Sequence, residues 1–379
     1  MVGVSVRQTC GVRDHAALLA DAMASEGISS SFHWLVRGES SIRGARREIR
    51  EWTLRLQQQL TEEPPQAVLL HYSVFSYSHR GIPLFVRPTL SALRACGAPL
   101  IVMLHEFVYP WRRGDWRGNV WAVTQRAALI PVMRAAESVI STADDRVAWL
   151  RSRVWLPRRR VVLAPVFSNL PPPAAHAVPD PSSRVVGLFG YSYQGAALEL
   201  ILDAIGELMA AGVPVQLRLL GAPGRSSRAG EAWLRAASTR RLEKALSFSG
   251  ALPAQSLSDE LAACDVLLFA DSAGPTSRKT SLAGSLASGR PVVALAGPQT
   301  WGKLVEAEAL RVAEPTSTAL AAALGALLAD RRESEELGAR GRAFAEREMT
   351  LARTVQAVAS LLAHPEPVAS LDGASPAAR

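Results

Sequence analysis

The stretch Ser272–Ala294, SAGPTSRKTSLAGSLASGRPVVA, decides the fold that we predict for this chain. It follows an apolar run and opens with small residues and a basic pair, Arg278-Lys279. A helix then runs to Gly289, and a second apolar run follows. In an open α/β sheet, such a strand–loop–helix turn lies at the carboxyl edge, where ligands bind. A helix N-terminus with two cations suits a diphosphate; the alternative is a solvated basic pair.

Short apolar runs alternate with amphipathic stretches along most of the chain, which is typical of parallel sheets covered by helices. We predict strands at 2–6, 67–72, 99–104, 138–142, 160–164, 185–189, 215–220, 246–249, 266–270, 291–295 and 310–313. Helices are predicted near 14–26, 42–60, 86–96, 120–136, 144–153, 196–211, 230–244, 256–263, 280–288, 302–309, 317–329, 333–347 and 350–363. The pattern predicts an α/β protein with two doubly wound, Rossmann-like domains.

A proline-rich segment, residues 168–184, marks the predicted domain boundary. Proline fixes φ and lacks an N–H group, so the segment is a poor strand or helix but a good semi-rigid linker. We therefore predict an N-terminal domain over 1–167 and a C-terminal domain over 185–344. Residues 365–379 are polar and small, and we predict a disordered tail there.

Composition and charge narrow the class of protein. The 379 residues are 48% hydrophobic and 20% charged, as in globular proteins, and suit two domains. The net charge of +8 favours polyanions such as nucleotide diphosphates, nucleic acids and anionic membranes without choosing between them. No zinc-finger, RNP-like or basic-zipper pattern accompanies it, so we expect no specific nucleic-acid partner.

The cysteines and the N-terminus bear on location. Three widely spaced cysteines argue against a disulfide framework and a structural zinc site, and fit a reducing compartment. The N-terminus enters a strand without the features of a signal peptide. No run approaches about 18 uncharged apolar residues, so we predict no transmembrane segment and a cytoplasmic location.

Several segments together resemble family 4-type glycosyltransferases. The second half of the chain resembles that family's donor-binding half in Phe248–Gly250, in residues 257–265 and in the stretch Ser272–Ala294, which includes Gly289–Val293. In the first half, similar segments are Cys10–His15, His71-Tyr72, Arg80–Pro83, His105-Glu106 and Ala164–Asn169, and Val185–Gly190 follows the boundary. The resemblance spans roughly residues 4 to 350.

This resemblance implies a GT-B fold, in which two domains face each other across a cleft and a C-terminal helix (about 345–363) crosses back to the first domain. It implies transfer of a sugar from a nucleotide-diphosphate donor to an acceptor hydroxyl, with retention of configuration. The leaving phosphate would help to deprotonate the acceptor, and no metal or other cofactor is expected. The acceptor is a saccharide, a lipid-linked molecule or a natural product.

Candidate site residues follow from the resemblance and from their chemistry. Cations and helix N-termini stabilise a leaving diphosphate where no metal does, and a strand-end histidine suits a sugar hydroxyl. The catalytic candidates are His105, Glu106, Arg278 and Lys279. The donor-binding candidates are Gly190, Tyr191, Gly221, Ser277, Arg278, Lys279, Thr280, Ser281 and Glu306. The acceptor-binding candidates are Gly11, Val12, Asp14, His15, Tyr72 and Arg80. Four of these residues have structural alternatives: His105 satisfied by backbone, Gly11 and Gly190 serving tight turns, and Asp14 as a helix N-cap.

One departure keeps other functions open. The family usually carries two glutamates eight positions apart, and the corresponding residues here are Thr276 and Gly284. Some relatives have a small-residue, basic loop instead, which Ser277–Ser281 resembles. A catalytically inactive partner or activator protein, or a nucleotide-sugar epimerase on the same fold, therefore remains an alternative.

Aromatic and basic residues also alternate in a loop near the middle of the first half. Trp111 and Trp116 stand among Arg112, Arg113 and Arg117. We predict either an acceptor lid or a peripheral contact with a membrane surface, unless the loop is simply variable.

Overall fold

The computed structural model describes residues 1–6, 10–174, 184–191, 195–221 and 223–363. The chain divides into two compact units: residues 1–164 together with residues from 352 onward, and residues 165–351. Each unit contains a six-stranded sheet whose strands all pair in parallel. The predicted α/β class with two doubly wound domains is confirmed.

In the first unit, strands and helices alternate. The elements are β1 (Val2–Ser5), α1 (Gly11–Ser25), β2 (His33–Val36), α2 (Ile42–Glu62), β3 (Val68–Ser73), α3 (Val86–Ala95), β4 (Leu100–Glu106), α4 (Trp116–Ala135), β5 (Ser138–Ser141), α5 (Asp144–Arg151) and β6 (Arg160–Leu163). The strand order is β2-β1-β3-β4-β5-β6, so the winding reverses between β1 and β3. Such a reversal opens a crevice beyond the carboxyl ends of the strands.

The second unit repeats the alternation. Its elements are β7 (Arg184–Phe189), α6 (Ala196–Ala210), β8 (Val215–Leu220), α7 (Arg228–Thr239), β9 (Leu246–Gly250), α8 (Ala254–Ala262), β10 (Val266–Phe269), α9 (Thr280–Ala287), β11 (Val292–Leu295), α10 (Gly302–Glu306), β12 (Arg311–Ala313), α11 (Ser317–Ala329) and α12 (Arg331–Glu348). The last helix, α13 (Leu351–Ala363), groups almost entirely with the first unit. The strand order is β12-β11-β10-β7-β8-β9, and the winding reverses between β7 and β10.

Buried apolar side chains on both faces hold the second sheet. Val186, Leu188 and Leu268 belong to one cluster, whereas Leu267 and Phe269 belong to another. Successive side chains of a strand point to opposite faces, so the continuous apolar runs of the sequence are explained by burial of both faces.

Strand β2 was missed by the sequence analysis, and helix α1 was predicted to begin too late. All four residues of β2 are only half-buried at the sheet edge, so they carry a weak apolar signal. Helix α1 begins at Gly11 with Cys10 as its N-cap. Asp14 therefore lies in the first turn, and its interpretation as an N-cap is wrong.

The described part of the predicted linker lies against helix α8. Ser258 Oγ donates to the carbonyl of Pro171 at 2.6 Å, and Gln255 Nε2 donates to that of Pro172 at 3.0 Å. The N–H of Ala174 donates to Asp259 Oδ1 at 2.8 Å. Prolines lack a donor but keep their carbonyl acceptors, so these contacts fix the segment. Residues 175–183 of that linker and the predicted tail lie outside the described residues.

Two further findings concern the cysteines and the helices. Cys10, Cys96 and Cys264 are all free thiols. Among the helices that the structure describes, none is long and apolar enough to cross a membrane.

Candidate functional site

The loops that follow β7 and β10 lie at the reversal point of the second sheet. Gly190 ends the first of these strands with a φ of 77°, a conformation that glycine adopts at no steric cost. A Cβ on Gly190 would lie 3.6 Å from the Cβ of Ser281, in the first turn of α9. The glycine loop and the start of α9 are therefore in contact, which brings two groups of predicted donor-binding residues together.

The predicted helix start at the basic pair is confirmed. Lys279 is the N-cap of α9 and has an extended backbone, and no side chain accepts a capping hydrogen bond there. The loop before it is fixed, because the carbonyl of Ser277 accepts from the N–H of Val166 at 2.8 Å. Ser277 is completely buried within this loop. Arg278, Thr280 and Ser281 are partly exposed and border the helix N-terminus.

An acid that the sequence analysis missed stands beside this pair. Asp271 Oδ2 lies 2.9 Å from the ammonium of Lys279, and Asp271 Oδ1 accepts from the N–H of Ala273 at 3.0 Å. Burial alone would raise the pKa of Asp271, but the charges of Lys279 and Arg278 and these hydrogen bonds hold that pKa below its usual value. Lys279 is thus already in an ion pair, which corrects the picture of two cations awaiting a phosphate. Its position two residues after the end of strand β10 was the signal that could have identified Asp271.

Both positions where the family usually has glutamate are enclosed by protein. A Cβ on Gly284 would lie 3.3 Å from Leu170 Cδ1, 3.4 Å from Phe189 Cε1 and 3.6 Å from Ser168 Oγ. Thr276 is 1% exposed, and its hydroxyl has no hydrogen-bond partner among the described residues. The second unit is therefore packed around small residues at these two places.

Three of the predicted donor-binding residues, Tyr191, Gly221 and Glu306, have a local structural setting that the sequence analysis did not describe. Tyr191 is fully buried: its hydroxyl accepts from the N–H of Gly224 at 2.6 Å, and its carbonyl accepts from Trp233 Nε1 at 3.0 Å. Tyr191 therefore joins two loops rather than offering a face to a ligand. Gly221 has a φ of 83°, as its turn requires, and its N–H donates to Ser249 Oγ. Glu306 is the exposed last residue of short helix α10, rather than lying near the start of a longer helix.

Three histidines meet in the first unit. His71 lies in β3, His105 near the end of β4, and His15 in α1, so the elements beside the sheet reversal supply all three. His71 Nδ1 is 3.2 Å from His105 Nε2, and the two rings stack with centroids 5.4 Å apart. The His15 ring meets both edge-on, at 6.1 Å from His71 and 5.4 Å from His105.

The histidine cluster is uncharged near neutral pH. Burial lowers the pKa of His15 to about 4. Burial, together with the neighbouring histidines, also holds the pKa of His71 and that of His105 well below the ordinary value. His15 and His71 are buried whereas His105 is partly exposed, so His105 is the member that meets solvent. Neutral imidazoles donate and accept hydrogen bonds, which suits hydroxyl groups better than phosphates.

Trp34 and Gly3 pack beside this cluster. The Trp34 ring lies 6.0 Å from the His71 ring. A Cβ on Gly3 would fall within the space of the Trp34 ring, so glycine is required in β1 at this point. A glycine inside a strand marks such a close approach, so Gly3 was a signal for this site that the sequence analysis did not use.

The remaining first-unit candidates fall into two groups. Tyr72 was a wrong choice for acceptor binding, because it is 1% exposed and stacks on Tyr77 in the core, with ring centroids 5.3 Å apart. Glu106 is exposed at the end of β4, and Arg80 is exposed on a two-residue turn between His79 and Ile82. Gly11, Val12 and Asp14 form the first turn of α1, with Gly11 and Asp14 exposed.

No metal centre is evident in the part of the chain that the structure describes. No group of three or more His, Cys, Asp or Glu side chains there has an arrangement that could hold a metal ion. The expectation of a metal-independent reaction stays a prediction.

The part of the chain that matches a known family lies within the second unit. Residues 183–330 match the family described as glycosyl transferases group 1. The crystal structure of HepE from Anabaena in complex with UDP is similar with a TM-score of 0.66 and 16% identity, over 96% of this chain and 98% of that chain. Sucrose-phosphate synthase from Thermosynechococcus elongatus is similar with a TM-score of 0.68 and 14% identity, over 95% and 97%. WaaG, a glycosyltransferase involved in lipopolysaccharide biosynthesis, has a TM-score of 0.65 and 14% identity, over 96% and 99%.

At these identities the likeness establishes the fold, which is that of GT-B glycosyltransferases. Among curated proteins, no sequence matches this chain significantly.

Proposed function

We propose that the protein is a glycosyltransferase that takes a sugar from a nucleotide-diphosphate donor. One observation carries the proposal: the segment that matches the glycosyl transferases group 1 family contains the contact between the Gly190 loop and the first turn of α9. That contact lies where the strand order reverses, which is the usual ligand position in open α/β sheets.

The donor diphosphate binds at the N-terminus of α9 in this proposal. The first N–H groups of the helix and the helix dipole favour an anion, and Arg278 offers a planar fork of donors. The Lys279 ammonium turns from Asp271 toward the diphosphate when the donor is present. These groups stabilise the charge that grows on the leaving group, so the reaction proceeds without a metal ion.

The histidine cluster binds the sugar that is transferred. His105 reaches its hydroxyl groups, and Glu106 assists at the end of the same strand. His71 holds the ring of His105 through their 3.2 Å contact, and a neutral cluster avoids repelling an electron-poor sugar carbon. Retention of configuration follows in the proposal, because the leaving phosphate itself removes the proton of the acceptor hydroxyl. Gly11, Val12, Asp14 and Arg80 remain the proposed acceptor contacts.

A catalytically inactive, donor-binding partner protein is the second candidate. It is favoured by the packing at Thr276 and Gly284, which leaves no place for the two usual glutamates. Such a protein would bind the nucleotide but would neither transfer nor hydrolyse the sugar.

A panel of nucleotide diphosphates, tested by thermal shift, addresses donor binding first. A ligand at a hundred times its Kd should stabilise the protein by about 2.7 kcal/mol. UDP and UDP-glucose head the panel because HepE was crystallised with both. The absence of a shift with every nucleotide would overturn both candidates.

Turnover of the bound donor then separates the remaining functions. Sugar release or transfer that continues in EDTA supports the metal-independent glycosyltransferase. Binding without turnover indicates the inactive partner, and conversion of the donor's sugar without any acceptor indicates an epimerase.

A further inference from the structure

The first unit contains an arginine-lined pocket far along the chain from the histidine cluster. The pocket has a volume of about 410 Å³ and lies at the end of α5 and the connection to β6. Four of its lining residues are arginines, and the rest are apolar; no acid lines it. The arginines are Arg151, Arg153, Arg158 and Arg159.

Two of these guanidinium groups are held by backbone. Arg159 Nε donates to the carbonyl of Ala136 at 2.6 Å, and an Arg151 terminal nitrogen donates to that of Val161 at 3.0 Å. Within the described residues, no ion pair joins any of the four arginines to an acid. Like charges gathered in this way repel one another, so an anion in the pocket relieves the repulsion.

Exposed apolar side chains surround the pocket. Val154 is 97% exposed, and Trp155 beside it is 38% exposed. The Trp155 ring contacts the ring of Trp149 with centroids 5.9 Å apart, and the Arg153 guanidinium lies 5.1 Å above that same ring. Packing in the core of the unit does not explain an apolar side chain at a position so exposed to water.

The apolar surface continues to the loop that the sequence singled out. Arg126 lies 5.8 Å from the centre of the Trp149 ring and 4.8 Å from that of Trp111. Trp111 is 57% exposed, and Trp116 at the start of α4 is 70% exposed. We call the surface formed by Trp111, Arg126, Trp149, Arg153, Val154 and Trp155 the aromatic–basic strip.

Two acids on elements of the strip, Asp115 and Asp145, are already engaged by neighbouring groups. The Asp115 carboxylate caps α4 by accepting from the N–H of Gly118 at 2.8 Å. Asp145 lies at the far end of α5, with its carboxylate 3.6 Å from Arg146. The strip and its pocket therefore present positive charge and apolar rings together.

We propose that this face of the first unit docks on an anionic membrane, with a lipid phosphate in the arginine pocket. Tryptophan rings prefer the interface between headgroups and acyl chains, and arginine stems extend along it while their heads reach phosphate. Anionic lipids attract such basic surfaces with about 1 kcal/mol per cationic side chain. A nucleic acid would use the arginines but would leave Val154 and the exposed tryptophan rings in water, so lipid fits the surface better. This inference does not depend on the proposed reaction.

Co-sedimentation of the full chain with vesicles tests the proposal. We expect binding to phosphatidylcholine vesicles with about one third phosphatidylglycerol, weak binding to phosphatidylcholine alone, and loss of binding as salt is added. Arg153→Glu combined with Arg158→Glu should lower the partition coefficient at least about tenfold. The matched control is Arg331→Glu with Arg332→Glu, which makes the same change of charge on α12, where these side chains are 87% and 88% exposed.

Tryptophan fluorescence distinguishes insertion from simple charge attraction. Brominated lipids should quench the tryptophan fluorescence of the wild-type protein. The double variant Trp111→Ala, Trp116→Ala should lose part of this quenching, while its circular dichroism spectrum stays unchanged. Equal loss of binding in the pocket and control variants would overturn the proposal. The proposal would also be overturned if short RNA bound the protein and displaced it from vesicles, or if the protein bound neutral vesicles equally well. An absence of fluorescence quenching by brominated lipids would overturn it too.

Discussion

The two units place their candidate sites at the same point of the same fold, yet one site is charged and the other is neutral. In the second unit, Arg278, Lys279 and the start of α9 gather positive charge around Gly190. In the first, three histidines gather, and burial within the cluster, where only His105 is partly exposed, keeps them neutral. In the proposed function, strand order therefore sets the position of the candidate site in each unit, and the local side chains set whether that site suits a phosphate or a hydroxyl group.

The difference extends to what each site tolerates. The second site has an extended N-cap and a charged pair that meets solvent, so its charges can turn toward a ligand. The first site is stacked and enclosed apart from His105, so a change of charge there costs folding free energy. Four predictions test this contrast, from the largest expected effect to the smallest.

Gly284→Glu should destabilise the second unit by roughly 3 kcal/mol or more, although it restores a residue that the family usually has. The new side chain would start 3.3 Å from Leu170 Cδ1 and 3.4 Å from Phe189 Cε1, and its charge would be buried. Urea unfolding measures the effect. Gly284→Ala is the matched control and should cost much less, because its single methyl group fits with shifts of a few tenths of an ångström. If the glutamate variant is as stable as the alanine variant, the site is more open than we describe.

Acidification should destabilise the first unit. Above an unfolded pKa of about 6.5, His15 is neutral in both states and the stability is complete. As the pH falls toward the folded pKa of about 4, the unfolded chain binds protons that the folded chain does not. The free energy of unfolding should therefore fall by roughly 2 kcal/mol by about pH 5 from this residue alone. Urea titrations near pH 7 and pH 5 measure this change.

A matched pair of variants assigns that pH dependence. His15→Gln should reduce it and leave the part that comes from His71 and His105. His79→Gln, which removes an imidazole outside the cluster, is the matched control. The same pH dependence in all three proteins would show that the buried cluster is not its source.

Arg278→Ala should lower kcat/KM for transfer about 10- to 100-fold, because a charge-assisted contact is worth roughly 1.5–3 kcal/mol. Since leaving-group charge grows toward the transition state, kcat should fall more than donor affinity does. Lys279→Ala should lower transfer too, but it also leaves Asp271 without its ion-pair partner. Comparison with Lys279→Ala combined with Asp271→Asn separates those two effects. Near-normal turnover in both single alanine variants would show that Arg278 and Lys279 do not form a phosphate site.

The sequence predicted most of the fold because apolar runs buried on both faces of a sheet are unmistakable. Every strand of the second unit was predicted, including short β12. Edge strand β2 was not, because its four half-buried residues lack that signal. The second site was also largely predicted, since a strand, a loop and a helix start are contiguous in sequence. Asp271 was overlooked although it lies in the same loop.

The first site was harder because its parts are far apart in sequence. His15 and His105 were proposed as site residues. In β3, however, Tyr72 was chosen, although His71 is the residue that contacts His105. Adjacent residues of a strand point to opposite faces, so an error of one position moves a side chain from the site to the core. Whether His71 or Tyr72 faces α1 depends on how the sheet is covered, which local sequence does not specify.

Tyr72→Phe gives the smallest expected effect and tests this correction directly. The Tyr72 hydroxyl is buried without a hydrogen-bond partner among the described residues, and burial raises its pKa. Removing an unsatisfied buried hydroxyl should leave the free energy of unfolding within about 1 kcal/mol of wild type, or increase it. Tyr191→Phe is the control: it removes an acceptor from the N–H of Gly224 and should cost about 1 kcal/mol. Urea unfolding measures both effects.

Transfer kinetics decide the assignment of Tyr72. If Tyr72 bound the acceptor, Tyr72→Phe would raise KM for the acceptor. Because the Tyr72 ring instead stacks on Tyr77 in the core, we expect unchanged kinetics for this variant. His71→Phe, in contrast, should lower kcat, because it releases the ring of His105.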